Sequence, residues 1–361
     1  MLCPKDTTAQ FNAGLDLAKN TFQLHIIDPK GKVMNKKLSR KQLFDFFSNH
    51  EPCNICMEAC GSSHYWARTF SEMGHFPFLI SPVRTVAFRS GRNKTDASDA
   101  QAICEAMLHH GTRFVNIKTV EQQDRSELIA RRALLIEQRT QVINQARGFL
   151  AEHGLIIAKG QKKFHDQFSD ILAANWDSFT ADLQLILQNI SDEYEYLSKA
   201  IKTIDSYLEA QAKDNEVIQR LMAINGFGVL LATILLALVG DASQFANGRA
   251  MSNYFGLTPG ENSSGGKQKL LGITKRGNVQ LRVLAIICAH AVINGLLRRK
   301  KGEDGLPLKL SNFERWIISL VERVGIAKAT TATANKMIRI AWAVIRKGEK
   351  FDPNKAVRVV A

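Results

Sequence analysis

Between Asn262 and Gly302 the chain has no aspartate and no glutamate. A solvated protein face usually mixes both signs, so a span this long with one sign only suggests contact with phosphates. Acids are the minority throughout: 34 Asp and Glu stand against 48 Lys and Arg, giving a formal charge of +14 and a pI near 9.6. That balance favours a polyanionic partner, either nucleic acid or an anionic membrane surface. Long apolar runs are also lacking. The longest, VLLATILLALVG from Val229 to Gly240, has the length of a buried helix and falls short of a bilayer span. The opening MLCPKDTTAQ lacks the pattern of an export signal, so a cytoplasmic protein with no membrane partner is expected. In that compartment the six cysteines are reduced thiols.

Four of the metal-type residues cluster: Cys53, Cys56, Cys60 and His64. Their spacing suggests a zinc knuckle. However, CNICMEA is a short run of buried-type residues and reads better as a core strand, so zinc is not expected.

Apolar patterning divides the chain into three. Residues 10–118 alternate strands and helices. AGLDLAKNTFQLHIID is β-leaning, DPKGK is a turn and KVMNKKLS returns. RKQLFDFFSNH is then a helix, CNICMEA a strand, SSHYWARTFSEMG a helix, HFPFLIS a strand and DASDAQAICEAMLHHG a helix. A hairpin followed by strand–helix alternation predicts a mixed sheet flanked by helices. Residues 119–215 carry heptads: Leu128, Leu135, Val142 and Phe149, and later Leu183, Leu187, Ile190, Tyr194, Leu197, Ile201, Ile204 and Leu208. Two long helices follow from that seam, as an antiparallel hairpin, as an oligomer interface of coiled-coil type, or as part of a plain helical bundle core. Residues 216–361 are mainly helical. Within them Gly226 and Gly228 flank Phe227 between two helical segments, a turn that lets backbone N–H groups approach a phosphate.

Carboxylates are sparse in the first region and stand in telling places. Asp16 lies inside an apolar strand, Glu58 ends another, and Asp96 and Asp99 open a helix. An acid in an apolar strand is costly unless it is paired or metal-bound. The two helical aspartates alone would be helix-start chemistry. With Asp16 and Glu58 they form a set of hard oxygen donors suited to Mg²⁺ at a phosphodiester.

The acid-free span opens at Ser263-Ser264-Gly265-Gly266 and holds Lys267, Lys269, Lys275, Arg276, Arg282, Arg298, Arg299, Lys300 and Lys301. Two readings fit these residues: a flexible basic loop, or a phosphate-binding loop that carries a serine nucleophile. A serine hydroxyl needs activation, and no histidine is near in sequence.

The whole constellation resembles the DEDD transposases of bacterial insertion sequences, which are bridge-RNA-guided recombinases. The likeness is carried, in chain order, by GLDLAKNTFQLHIID, MEACGSSHYWA, NKTDASDAQAI, the stretch from INGFGVLLATILLALVG to GGKQKLLGITKRGNVQLR, and ANKMIRIAWAVIRKGEKF. SSGGK, ITKRGN and ANKMIRIAWAV resemble the branch whose guide RNA lies on the other flank of the element. The resemblance implies an α/β plus α architecture. A ribonuclease-H-like domain, of Holliday-junction-resolvase type, would hold Mg²⁺ on Asp16, Glu58, Asp96 and Asp99. A coiled coil would follow, and then a small helical transposase domain with a helix-hairpin-helix-like element. The catalytic serine implied is the one before glycine, Ser264, with Ser263 its neighbour in register. Gly226, Gly228, Lys267, Lys269, Lys275, Arg276 and Arg282 would contact nucleic acid. Implied partners are donor and target duplex DNA, a structured guide RNA, and further copies of the chain in a dimer or tetramer, since the family's site joins the acids of one protomer to the serine of another. Two rival functions share parts of this pattern: a Mg²⁺-dependent junction endonuclease using water, and a non-catalytic nucleic-acid scaffold.

Overall fold

The computed structural model describes residues 7–89, 95–299 and 310–356. The chain divides into two compact units, Met1–Gln122 and Gln123–Ala361. The first holds β1 (Phe11–Asp16), β2 (Thr21–Ile27), β3 (Val33–Ser39), α1 (Arg40–Ser48), β4 (Cys53–Glu58), α2 (Ser63–Glu72), β5 (Phe76–Ile80), the short α3 (Pro82–Thr85), α4 (Asp96–Leu108) and β6 (Phe114–Val115). The strands form one six-stranded mixed sheet in the order β3-β2-β1-β4-β5-β6. β1, β2 and β3 are antiparallel neighbours, β1–β4 and β4–β5 are parallel, and β5–β6 is antiparallel. The apolar run expected as one strand, AGLDLAKNTFQLHIID, is two strands. The polar Lys19 and Asn20 fall at the reversal, and Leu15 then pairs with Leu24.

Alternation along the strands gives the sheet two apolar faces. Leu15, Phe22, Leu24, Ile55, Trp66 and Phe70 fill one core, whereas Cys56, Phe78, Ile80, Ile103, Cys104 and Met107 fill the other. Cys53 packs in the first core and Cys56 in the second, so the two thiols lie on opposite faces of β4. Burial raises both thiols well above their ordinary range. His64 accepts a hydrogen bond from the Lys118 N–H (3.2 Å). Burial, followed by the charges of Lys118 and Arg68, lowers its pKa to about 4, so it stays neutral in the fold.

One backbone approach fixes where α4 sits. A Cβ on Gly14 would stand 2.0 Å from the Ala100 carbonyl oxygen and 2.6 Å from the Cys104 nitrogen. Only glycine on β1 lets the helix lie directly on the strand.

The second unit begins with α5 (Val120–Glu152), α6 (Gln161–Asn175) and α7 (Ala181–Lys213), α5 starting at the unit boundary. The heptad residues Leu135, Val142, Leu183, Leu187, Ile190, Tyr194, Leu197 and Ile201 meet Phe164 and Phe168 of α6 in one core. These seam residues therefore pack within the chain, with a third helix in the segment between the two long ones. Arg132 and Asp205 pin α5 to α7, with Nη2–Oδ2 at 3.1 Å.

Next come α8 (Glu216–Met222), α9 (Val229–Val239), α10 (Gly248–Tyr254), β7 (Pro259–Glu261), β8 (Leu270–Ile273), α11 (Val279–Arg299), α12 (Asn312–Val324) and α13 (Ile326–Lys347). They surround a large core that includes Leu231, Leu235, Phe255, Leu281, Ile293, Phe313 and Met337. By length and composition α11 is apolar enough to cross a bilayer, contrary to the expectation that no segment is. Here its Leu281, Ala285, Ala289 and Ile293 pack in that core.

Candidate active site

The four acids come from three elements of the first unit. Asp16 is the last residue of β1 and Glu58 the last of β4. The two strands are parallel neighbours with Leu15 paired to Met57, so both acids emerge at the same sheet edge. The close packing at Gly14 then sets the first turns of α4 against β1, just before that edge. Asp99 is buried on this turn, and Asp96 is exposed at its start. Neither aspartate caps the helix. Thr95 is the N-cap, and Thr95 and Ser98 exchange side-chain and backbone hydrogen bonds in a capping box. The N-cap role is thus filled by other residues, while both aspartates lie in the first turn, where negative charge is favoured.

The surroundings are electrostatically shared. Burial, followed by the carboxylates of Glu58 and Asp16, pushes the Cys60 thiol up. The Thr85 hydroxyl donates to Glu58 Oε1. Arg89 lies between two of the acids: its Nε is 2.7 Å from Asp99 Oδ1 and its Nη2 is 3.8 Å from Glu58 Oε1. The donor set, carboxylate oxygens from a strand edge and a helix start, suits a hard divalent cation. As the side chains stand, no three acidic, histidine or cysteine groups among the described residues close on a single point. Arg89 supplies the cation there, and an ion bridging Glu58 and Asp99 would compete with it. Accordingly, Arg89→Gln should lower the melting temperature in chelator by a few degrees, and Mg²⁺ should raise it more in the variant than in the wild type. Thermal unfolding with EDTA and with Mg²⁺ checks this; equal Mg²⁺ shifts in the two proteins would contradict it. Lys94, beside Asp96 in sequence, lies outside the described residues.

Ser264 belongs to the second unit, and its loop is a formed β-hairpin rather than a linker. Pro259 pairs with Ile273 and Glu261 with Leu270, with a one-residue irregularity between them. The ladder continues through the Asn262 N–H to the Lys269 carbonyl (2.9 Å) and a bridge between Ser264 and Lys267. Gly265 and Gly266 form a two-residue turn with φ of 57° and 77°, closed by the Lys267 N–H on the Ser264 carbonyl (3.0 Å). Positive φ at both centres is the type I′ geometry that matches strand twist, and it explains the two glycines.

The hairpin distinguishes the two serines. Ser263 Oγ donates to Glu261 Oε1 (2.6 Å) and accepts from the Lys269 N–H (3.2 Å), so it is part of the ladder. Ser264 is exposed, and its hydroxyl has no hydrogen-bond partner among the described residues. Lys267 stands directly opposite it. Lys269, Lys275 and Arg276 are also exposed on or beside the hairpin. Lys275 holds a positive φ of 55°, and its N–H bonds the Gly256 carbonyl (3.2 Å), which fixes the second basic turn.

Arg282 departs from expectation. It is 7% exposed, and its Nη1 donates to the carbonyls of Arg276 (2.7 Å) and Phe255 (3.3 Å). It braces the turn instead of presenting charge. Gly226 also has a packing reason: a Cβ there would lie 2.5 Å from Val292 Cγ2. Gly228 ends the same turn as the N-cap of α9, with open space on its Cβ side. Lys300 and Lys301 lie outside the described residues. Arg89 carried no sequence signal, because its pairing with Glu58 and Asp99 depends on the tertiary fold.

Comparison with known proteins now bears on both halves. A model of a DEDD transposase family matches residues 13–154, and a model of the transposase IS116/IS110/IS902 family matches residues 218–301. The transposase for insertion sequence element IS1111A of Coxiella burnetii is 40% identical over 339 residues, 94% of this chain and 90% of that one. The chain belongs to this transposase family. A probable family 20 transposase of Pseudomonas aeruginosa is 36% identical, and the transposase for insertion sequence element IS1328 of Yersinia enterocolitica is 33% identical; each alignment covers 94% of this chain and 98% of the relative. The transposase is thus an enzyme of DNA transposition, and its substrates are DNA. The first family match contains all four acids and the second contains both serines.

Proposed function

We propose that this transposase cuts and rejoins DNA through a phosphoserine link at Ser264, and that a bound guide RNA selects the donor and target sites. The observation that carries the reading is the hairpin, which sets the exposed Ser264 directly opposite Lys267 across a two-glycine turn. In this reading the sheet unit is ribonuclease-H-like, supported by its antiparallel β3-β2-β1 followed by parallel β4 and β5. Asp16, Glu58, Asp96 and Asp99 would hold Mg²⁺, whose role is to neutralise phosphoryl charge. The segment α8–Gly226–Phe227–Gly228–α9 is the helix-hairpin-helix-like element.

The chemistry balances without an external energy source. Ser264 Oγ attacks the scissile phosphorus; the Oγ–P bond forms and the P–O3′ bond breaks. The proton lost by serine ends on the departing 3′ oxygen. A 3′-hydroxyl of the exchanging strand then attacks the phosphoserine, the Oγ–P bond breaks, and the serine recovers its proton. Lys267 and Lys269 hold the non-bridging oxygens during both steps. The acids and the serine that complete one site come from different protomers, so the working form is at least a dimer, with a tetramer serving two junction partners. Recognition by RNA pairing leaves the protein to read backbone shape and charge.

The protein purified from its host is expected to carry a discrete RNA and to recombine the element's ends in Mg²⁺ only while that RNA is intact. Recombination at the same sites by RNA-free protein would contradict the guided part of this reading.

A further inference from the structure

The second unit contains an open cleft of about 540 Å³ between α10, α13 and the segment after α13. None of the hairpin residues lines it. Five cations do: Arg249, Lys336, Arg339, Lys350 and Lys355. The two acids on its wall already have lysines beside them, with Glu349 3.5 Å from Lys347 and Asp352 4.0 Å from Lys355. Arg249, Lys336, Arg339 and Lys350 have no acidic partner at ion-pair distance among the described residues.

The fold forces this arrangement. A Cβ on Gly248 would stand 2.8 Å from the Arg339 carbonyl oxygen, so α10 meets the α13 backbone at that point and brings Arg249 beside Arg339. Lys336 lies three residues before Arg339, about one turn away on the same face of α13. Lys336 and Arg339 are half-buried. Burial, followed by the neighbouring Arg339, lowers the Lys336 pKa; burial, followed by Arg249, lowers that of Arg339. Like charges held together without counter-charge cost stability in the free protein, and an anion in the cleft removes that cost. Five cations line this one cleft against two acids that already have lysines beside them, which points to a chain of phosphates.

We propose that this cleft binds the phosphodiester backbone of a nucleic-acid strand, as a site separate from the Ser264 hairpin. The inference uses the family's action on DNA and is independent of the serine chemistry; a Ser264→Ala protein should keep this binding unchanged.

The test is fluorescence anisotropy with a mixed-sequence DNA duplex and an RNA duplex of equal length, titrated across a salt series. The triple variant Lys336→Gln, Arg339→Gln, Lys350→Gln is compared with a control that removes three exposed lysines of the long-helix region, Lys162→Gln, Lys163→Gln and Lys202→Gln. For the strand type that occupies the cleft, the slope of log K against log salt should fall by about 2–3 and affinity should drop about tenfold or more. The control should change less. Whether the DNA or the RNA arm moves more identifies which strand the cleft takes. The melting temperature of the free triple variant should be equal to or above that of the wild type, because like-charge repulsion is relieved. Unchanged affinities and slopes in both arms would overturn the proposal, as would an equal loss in the control. A lower melting temperature with unchanged binding would assign the cations to the fold and overturn it as well.

Discussion

Replacing Ser264 with alanine is expected to abolish strand cleavage and strand transfer, by about 10⁴-fold or more, the scale of losing a nucleophile. The variant should fold and bind DNA as the wild type does, since the residue is exposed and its hydroxyl has no partner among the described residues. Ser263→Ala should behave differently. It removes the hydrogen bonds to Glu261 and Lys269 and so loosens the hairpin by about 1 kcal/mol. Activity should then fall by about tenfold while cleavage persists. The rival in which water is the nucleophile predicts the reverse for Ser264→Ala: continued cutting with weakened phosphate binding. A plasmid nicking and joining assay on the two single variants separates these outcomes.

Asp16→Asn is the second large effect. It keeps the size of the side chain at the end of β1 and removes one charged donor from the acid edge. Strand cleavage should fall about 10³-fold or more, with a melting temperature close to that of the wild type. The scaffold reading predicts that activity survives. Because the proposed site joins two protomers, mixing is informative. Neither Asp16→Asn nor Ser264→Ala should be active alone, but oligomers containing both should recover cleavage, because the acids of one chain and the serine of the other remain intact. Co-expression with two affinity tags checks this. No activity in the mixed oligomers would place acids and serine in the same chain.

The parts of this fold that the sequence showed are those with local signals. Asp16 stood out because a carboxylate inside GLDLA breaks an apolar strand, and β4 and α4 were readable from buried-type runs and Gly-terminated helical spacing. The placing of Asp16 and Glu58 at one end of the sheet, with α4 against β1, was not local. It depends on the parallel pairing of β1 with β4 and on Gly14 admitting Ala100 at van der Waals range, neither of which has a periodicity. The hairpin around Ser264 was the least readable element. Glycines that a type I′ turn requires look, by composition, like those of a flexible linker. What decides is pairing across the turn, Asn262 with Lys269 and Ser264 with Lys267. Cations were readable as a group and not singly. Arg282 braces two carbonyls, Arg89 neutralises two acids, and Lys336 and Arg339 face a cleft, although all four look alike in sequence.

The central claim is a covalent bond between one hydroxyl and DNA. The most direct measurement incubates the protein with a DNA substrate nicked next to the cleavage site, so that the 3′-hydroxyl needed for rejoining diffuses away. The denatured adduct is then digested and its peptide sequenced by mass spectrometry. A 5′-phosphate-linked nucleotide remnant on Ser264 is the predicted result. Cut strands with no protein attached, or a remnant on any other residue, would contradict it.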